Sequence, residues 1–240
     1  MKKLVFPFLG ILMLGLSGCM DKSGENIECF QDMLIPTIVE FGFTGKPEII
    51  TPLGRFVAPE LQNALFTEID DGDALLTYFC INYDQQISTD YTMASNLQWV
   101  KIKKISPYAT YGGESLADDF ITPIEELAVY SVIQYNNYQI VMFLTFAHRA
   151  ASDQEFDYQM TYDPNNNSNR LYIRAKKRNQ STKTDTNIVF LCAFDMTSYL
   201  MTLRGSEKEI SFNLYYKTGE EDGDDVYKEW SENPVRISFE

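Results

Sequence analysis

The chain has 240 residues, 45% of them hydrophobic and 14% aromatic, and carries a formal net charge of −14 at pH 7. This composition can fill one large or two small hydrophobic cores, which excludes an intrinsically disordered chain. The acidic balance argues against nucleic acid as a partner, because binding to phosphate depends on Lys and Arg. Lys101, Lys103 and Lys104 are interleaved with Ile102 and Ile105, a pattern typical of the solvent face of a strand.

The N-terminus has the pattern of a lipoprotein signal peptide. Lys2 and Lys3 precede the apolar run Leu4–Leu16, which is too short to span about 30 Å of hydrocarbon but suits the core of a cleaved signal. The run ends in a sequence that resembles a lipobox, Leu16-Ser17-Gly18-Cys19. We therefore expect cleavage between Gly18 and Cys19 and a diacylglyceryl group on the Cys19 thiol. The alternative is an ordinary secretory signal that happens to contain a cysteine.

Removal of residues 1–18, with their two lysines, would leave residues 19–30 as a lipidated tether and change the net charge from −14 to −16. Two or more acyl chains anchor a protein stably to a membrane. Asp21 is the third residue after cleavage rather than the second. By resemblance to lipoprotein sorting in gram-negative bacteria, this predicts the outer membrane, with the domains on either the periplasmic or the surface side.

Short runs of β-branched and aromatic residues alternate with turn clusters along the rest of the chain, which predicts an all-β fold. In residues 31–112 the predicted strands are Leu34–Phe43, Ala74–Tyr83 and Trp99–Ile105. Turns are predicted at Phe43–Pro47 and at Asp70–Asp73, which contains an Asp-Gly step, and Pro59–Leu65 suits a helical turn. We assign these residues to a small first domain and the polar residues 113–123 to a linker.

The second domain, residues 124–240, has denser strand signals. Its predicted strands are Leu127–Gln134, Gln139–His148, Phe156–Tyr162, Arg170–Lys176, Asn187–Phe194, Glu209–Tyr216 and Val235–Phe239. Asn136-Asn137 joins the first pair as a tight hairpin, and Asp163–Asn167 forms another loop. This spacing predicts a sandwich of two antiparallel sheets. The apolar run Ile140–Ala147 predicts a central strand that is covered on both faces.

Several segments together resemble the NigD-like lipoproteins. They are, in order, the lipobox, Gly72–Leu76, Phe79–Asp84, Leu171–Ala175 and Phe194–Leu200. The resemblance extends over nearly the whole chain after the signal peptide and rests on this organisation. It implies a barrel of the oligonucleotide/oligosaccharide-binding (OB) type followed by an immunoglobulin-like β-sandwich, with no enzyme activity. It also implies an immunity role, by association with a bacteriocin operon.

Catalytic and metal sites are restricted by a single histidine, His148. One protomer cannot supply the two histidines of common zinc motifs, and a Ser or Cys nucleophile would need this residue as its base. No Gly-X-Ser-X-Gly elbow is present, so we expect His148 to end a strand and hydrogen-bond to a loop. Gly112-Gly113 lacks the downstream Gly-Lys-Ser of a phosphate-binding loop. We predict no catalytic residue, no metal, no cofactor and no nucleotide.

Acidic residues suggest two further hypotheses. Glu220–Asp225 is the densest cluster and carries the oxygen ligands that calcium prefers, but it lacks EF-hand spacing. We favour a solvated hairpin loop that keeps a sheet edge soluble. The 34 Asp and Glu residues also allow the paired carboxylates of a hydrolase, which a deep acidic cleft would reveal.

Three cysteines, Cys29, Cys80 and Cys192, remain if Cys19 is lipidated. An odd number in an oxidising compartment requires one free thiol or a pairing between chains. Cys80 and Cys192 fall in apolar strands of different predicted domains. We therefore expect buried, inert thiols rather than a bridge between them, and an accessible Cys29 in the tether.

Two classes of function follow. We favour a non-catalytic envelope lipoprotein that binds a protein or glycan partner through loops or sheet edges. Trp99 and Trp230 are candidate stacking surfaces for sugar rings, and core packing would explain both residues equally well. The alternative is a carboxylate-dependent hydrolase acting on envelope polymers or glycans.

Overall fold

The computed structural model describes residues 26–30, 34–41, 45–64, 67–88, 91–111, 119–135, 139–165, 168–204, 207–231 and 233–239. The signal peptide, the lipobox with Cys19 and most of the predicted linker lie outside these residues. In the described part, no helix is long and apolar enough to cross a membrane. The prediction of an all-β protein, with a barrel followed by a sandwich, is confirmed.

The first domain is a closed five-stranded barrel with one additional strand. Its strands are β1 Ile27–Cys29, β2 Ile35–Phe41, β3 Pro47–Thr51, β4 Gly54–Val57, β5 Ala74–Ser88 and β6 Tyr91–Ile102. The barrel runs β5-β2-β3-β4-β6 and closes where β6 pairs with β5. A 3-10 helix, Pro59–Asn63, follows β4 and buries Leu61 in the barrel core. The predictions located β2, β5 and this helical turn, but the strand predicted at Trp99–Ile105 covers only the end of β6, and β1, β3 and β4 were not predicted.

A disulfide fixes β1 to the barrel. Cys29 lies opposite Cys80 in the antiparallel pairing of β1 with β5, and their sulfurs are bonded. The expectations of an accessible Cys29 and an inert Cys80 thiol are therefore wrong, because the end of the predicted tether adds a strand to the barrel. Among the described residues Cys192 is the free cysteine, and it packs partly buried against the sandwich core.

The second domain is a sandwich of two sheets. Its elements are β7 Lys104–Ile105, β8 Tyr108–Ala109, β9 Glu126–Tyr135, β10 Gln139–Ala151, β11 Phe156–Tyr162, β12 Arg170–Lys177, β13 Asp185–Asp195, α1 Thr197–Arg204, β14 Glu209–Glu221, β15 Asp224–Glu229 and β16 Val235–Ser238. The first sheet has the order β7-β13-β10-β9, and the second has the order β15-β14-β12-β11-β8, with β16 beside β14. The hairpins are antiparallel as predicted, whereas β7–β13, β8–β11 and β12–β14 are parallel pairs.

The core of the sandwich follows from strict alternation along the strands. Met142, Leu144 and Phe146 of β10 face the second sheet, which contributes Ile173 and Phe212 among others. Helix α1, which the sequence patterns did not predict, adds its own apolar side chains to the same core. This arrangement leaves the opposite side of each sheet available for another contact.

The other side of the first sheet packs against the barrel. Val141 and Phe143 of β10 share a buried cluster with Ile38, Ile50 and Ala74 of the barrel, which we call the domain junction. The predicted central strand is therefore covered on both faces, once by the second sheet and once by the barrel.

The chain passes from barrel to sandwich directly after β6. Strands β7 and β8 lie within residues 31–112, which were assigned to the first domain, yet they pair with β13 and β11 of the sandwich. The change of domain thus occurs at Lys103, ahead of the predicted linker at 113–123. Lys104 then secures the junction, because its Nζ donates to the backbone oxygen of Gly72 at 2.7 Å.

Candidate functional site

Aromatic and charged side chains collect on the outward side of the second sheet. Along β12, Leu171, Ile173 and Ala175 point into the core, so the alternate residues Arg170, Tyr172, Arg174 and Lys176 point outward. The register places Tyr172 beside Tyr215 of β14, and Tyr215 beside Glu229 of β15. We call the surface formed by Arg170, Tyr172, Tyr215 and Tyr227 the tyrosine face.

The rings of the tyrosine face contact one another directly. Tyr172 stacks on Tyr215 with ring centroids 5.4 Å apart, and the edge of Tyr227 meets Tyr172 at 5.1 Å. The Arg170 guanidinium lies over the Tyr215 ring, 5.6 Å from its centroid, within the range of a cation–π contact. The Tyr215 ring therefore contacts both an aromatic ring and a cation, which restrict its orientation.

Polar groups border these rings. Asn213, which pairs with Arg170 across the β12–β14 register, donates to the Glu229 carboxylate. Burial and the nearby Glu229 carboxylate raise the pKa of Tyr215, so its hydroxyl stays protonated at neutral pH. Arg170 is exposed and has no ion pair with a carboxylate among the described residues. An incoming acceptor would therefore find the guanidinium donors of Arg170 at this edge of the face, because the Tyr215 hydroxyl is bonded to Glu229 and the Tyr227 hydroxyl to Asp225.

The other end of the outward side is a buried ionic cluster. Lys217 has no exposed side-chain surface, and its Nζ contacts Glu220 Oε1 at 2.6 Å and the Asp225 carboxylate. Arg174 lies 3.0 Å from the other oxygen of Asp225, which also accepts from the Tyr227 hydroxyl at 3.0 Å. Burial alone would raise the pKa of Asp225, but the bonds from Lys217 and Tyr227 and the charge of Arg174 hold it below its usual value.

This cluster supports the tyrosine face rather than forming a site of its own. It fixes β15 beside β14 and aims Tyr227 at Tyr172. The predicted acidic loop at Glu220–Asp225 is the tight hairpin between these strands, with Asp222 and Gly223 in the left-handed backbone region. Among the described residues, no group of three or more His, Cys, Asp or Glu side chains is arranged to hold a metal.

A buried amide lies next to the cluster. Gln159 of β11 is opposite Arg174 in the register and points to the same side. Its side chain is only 9% exposed, and its Oε1 has no hydrogen-bond partner among the described residues. Such an acceptor is normally satisfied in a folded protein.

The two tryptophans proposed as stacking surfaces lie elsewhere. Trp99 is partly buried and packs against the barrel core, and Trp230 packs in the same way against the sandwich core. Neither belongs to the tyrosine face. The sequence signal for the face was the alternation from Arg170 to Lys176, which the prediction of a strand there included but did not use.

His148 has a structural environment. Its Nδ1 lies 2.9 Å from the carbonyl oxygen of Pro123 and its Nε2 lies 2.9 Å from the Tyr158 hydroxyl. The ring stacks on Phe156 at 4.2 Å and is 1% exposed. The expectation that His148 hydrogen-bonds to a loop is confirmed, whereas strand β10 continues beyond it to Ala151. Both ring nitrogens are occupied, so the residue has no nitrogen left to activate a nucleophile.

One pair of carboxylates that shares a cation lies in the barrel. Glu40 and Glu48 lie opposite each other on β2 and β3, and Arg55 contacts both, at 2.5 Å and 3.0 Å. The side chain of Glu48 is 1% exposed, so a polymer has no access to it. A shallow polar depression lined by Gln154 and 177–181 contains no carboxylate pair.

Comparison with known proteins places the fold but not the function. No protein-family model matches the chain, and no curated protein sequence matches it significantly. Among solved structures, an uncharacterized protein from Parabacteroides merdae is 18% identical with a TM-score of 0.67, over 87% of this chain and 99% of that one. A protein from Parabacteroides distasonis, described as toxin-related, is 12% identical with a TM-score of 0.53, over 86% and 93% of the two chains.

A NigD-like immunity protein from Bacteroides caccae is also among the similar structures, as the resemblance in the sequence led us to expect. It is 11% identical with a TM-score of 0.46, over 83% of this chain and 92% of that one. Structural similarity at that level supports no further conclusion. At these identities, the two stronger matches show that the barrel and sandwich occur together in other proteins, over nearly their whole length.

Proposed function

We propose that the protein is a non-catalytic lipoprotein of the outer membrane that binds a protein partner through the tyrosine face. The observation that carries this proposal is the Tyr215 ring, which contacts both Tyr172 and the exposed Arg170 guanidinium. Tyr and Arg supply most of the strong contacts at protein interfaces, and they do so best when fixed in advance. The ionic cluster around Lys217 provides that fixing.

The partner's chemistry follows from the donors at the open edge. Arg170 has no described carboxylate partner and can donate two parallel hydrogen bonds to an incoming carboxylate. The Tyr172 hydroxyl adds a donor on the same face. We expect the partner to present an Asp or Glu flanked by apolar side chains that cover the ring edges.

A protein suits this surface better than a glycan does. A sugar stacks on an open aromatic face, whereas the Tyr215 ring is already in contact with Tyr172 and with the Arg170 guanidinium. The surface is also the side of a sheet rather than a concave pocket, and small-ligand sites are concave. A hydrolase finds no support, since His148 is committed to Pro123 and Tyr158 and Glu48 is buried.

The membrane part of the proposal rests on the lipobox that ends at Cys19. Cys19→Ala should abolish labelling with radioactive palmitate and release the chain from the membrane fraction. A variant that keeps its label or stays with the membrane would overturn the anchor. The resemblance to NigD-like lipoproteins makes a co-encoded toxin the first partner to test.

Binding is tested by photo-cross-linking in cells and then with the purified partner. A photoreactive residue replaces Ser211, which is exposed at the border of the face, or Val189, which is exposed on the first sheet. The proposal expects an adduct from position 211 and none from position 189. Arg170→Glu should weaken binding of the purified partner about tenfold or more, as a contact worth over ~1.4 kcal/mol would.

Arg149→Glu, an exposed charge reversal on β10, is the matched control and should leave affinity unchanged. Equal losses for the two reversals would show a general charge effect and overturn the proposed site. Saturable binding to a defined glycan that Arg170→Gln abolishes would replace the protein partner with a sugar.

A further inference from the structure

The membrane tether and the domain junction lie at different positions along strand β5. Tyr83 of β5 donates its backbone N–H to the carbonyl of Asn26, and the disulfide fixes the strand between Asn26 and Cys29 to the same part of β5. On this side, a hydrogen bond joins the barrel to the sandwich at Leu34, whose carbonyl oxygen accepts from the Tyr130 hydroxyl at 3.2 Å.

The strand register gives the distance between Asn26 and the domain junction. Ile35, next to Leu34, pairs with Thr77 of β5, and Tyr83 is six residues further along that strand. Six residues of strand span roughly 20 Å. The start of the described chain at Asn26 therefore lies well beyond the contact between barrel and sandwich.

The tyrosine face lies on the far side of the sandwich from the barrel. The barrel packs on one side of the first sheet through Val141 and Phe143, and the second sheet packs on its other side through Met142 and Leu144. The face is the outward side of that second sheet. Packed sheets are about 10 Å apart, so barrel, first sheet, second sheet and face follow one another as layers.

The junction holds these layers in a fixed relation. Ile38 and Ala74 of the barrel have no exposed surface where they meet the first sheet. Lys104 adds its bond to the Gly72 oxygen, and it lies 3.8 Å from the Asp195 carboxylate of β13. A buried apolar cluster with polar bonds at its border resists hinge motion.

The tether is short compared with this stack of layers. Six residues separate Cys19 from Asn26, and even a fully extended chain of that length reaches only about 25 Å. A lipid on Cys19 would therefore keep the β1 side of the barrel close to the bilayer.

We propose that the protein stands on the membrane through its barrel and presents the tyrosine face away from the bilayer, to a soluble protein partner. This inference rests on the proposed lipid anchor and deepens the proposed function, because it excludes lipid and proteins embedded beside the anchor as occupants of the face.

The orientation is tested by quenching on vesicles. Lipidated protein with Cys192→Ala carries a fluorophore on Asn26→Cys or on Ser211→Cys, and is reconstituted into phosphatidylcholine vesicles with a quencher on the lipid headgroup. We expect quenching at position 26 to be several-fold stronger than at position 211. Equal quenching at the two positions, or stronger quenching at 211, would overturn the orientation.

A second arrangement separates this inference from the proposed function. The soluble domains, attached through an N-terminal histidine tag to nickel-chelating vesicles, should show the same difference between positions 26 and 211. Loss of the difference there contradicts the orientation alone. If the difference in quenching persists but the partner binds Arg170→Glu as tightly as the parent protein, the orientation is supported and the binding site is refuted.

Discussion

Tyr158 donates its hydroxyl hydrogen to Nε2 of His148 across 2.9 Å. The direction follows from the other nitrogen, because Nδ1 faces the Pro123 carbonyl, which can only accept, and must therefore carry the ring hydrogen. The imidazole is neutral in this arrangement. A second proton would have to displace the Tyr158 hydroxyl from Nε2 inside the core.

This pair predicts a loss of stability in weak acid. Burial lowers the pKa of His148 to about 4. The bond to Pro123 opposes this shift, and the charge of Lys177 adds a smaller lowering effect. In the unfolded chain the pKa is near 6.5. The contribution of His148 to the free energy of unfolding is intact above about pH 6.5. It is lost as the pH falls toward 4, because in this range only the unfolded chain takes up the proton.

Urea unfolding measures this contribution. Between about pH 7.5 and pH 5, His148 should account for about 2 kcal/mol of the fall in the free energy of unfolding. His148→Gln should be less stable than the parent at neutral pH but lose less on acidification. Parallel pH profiles for the two proteins would show that His148 does not titrate as expected.

The disulfide predicts a second loss of stability, on reduction. Cys29 and Cys80 close a loop with a sequence separation of 51, for which chain entropy gives about 4 kcal/mol. Cys29→Ser combined with Cys80→Ala should lower the free energy of unfolding by about that amount, and a reductant should then have no further effect. If the urea midpoint of the parent protein is the same with and without reductant, this prediction is contradicted.

Sequence patterns found the long strands and missed what depends on pairing between distant segments. The continuous apolar run Ile140–Ala147 correctly predicted a strand covered on both faces. Cys29 was assigned to a free tether, since its position opposite Cys80 arises only when β1 joins a barrel strand far along the chain.

The tyrosine face was likewise predictable only in the part that depends on local sequence patterns. Tyr172 lay in a predicted strand, and its outward direction could be read from the alternation with Leu171 and Ile173. Tyr227 was not predicted to lie in a strand at all. Its contact with Tyr172 depends on the β14–β15 register and on the buried charges of Lys217 and Asp225, which composition and local pattern do not encode.

Cys192 should be chemically inert in the folded protein. Burial raises the pKa of its thiol to about 12, and the thiolate is the reactive form. A maleimide should label it very slowly under native conditions and rapidly in denaturant, as mass spectrometry of the intact chain can follow. Rapid native labelling, with Cys192→Ala as the unlabelled control, would show that the site opens.

Asp225 should be critical for stability because it compensates two buried cations. Asp225→Asn leaves Lys217 with Glu220 and removes the carboxylate from Arg174, which we expect to cost about 2–3 kcal/mol. Its neighbour Asp224 is exposed, so Asp224→Asn should change the urea midpoint little. Similar midpoints for the two variants would mean that the cluster contributes little to the fold.

Gly72 and Tyr135 provide the sharpest test of the domain junction. Gly72 has a φ of +78°, and a Cβ there would come within 2.6 Å of the Tyr135 hydroxyl oxygen but 3.4 Å from the ring carbon that bears it. Gly72→Ala should therefore cost about 2 kcal/mol, part from the left-handed backbone and part from the clash.

Tyr135→Phe removes only the clashing oxygen, so the cost of Gly72→Ala should fall by about half in that background, leaving the backbone strain. Urea unfolding of the four proteins in the cycle gives the coupling directly. Equal costs in the two backgrounds would show that Tyr135 does not press on the Gly72 turn, and the tight contact between barrel and sandwich at this point would have to be abandoned.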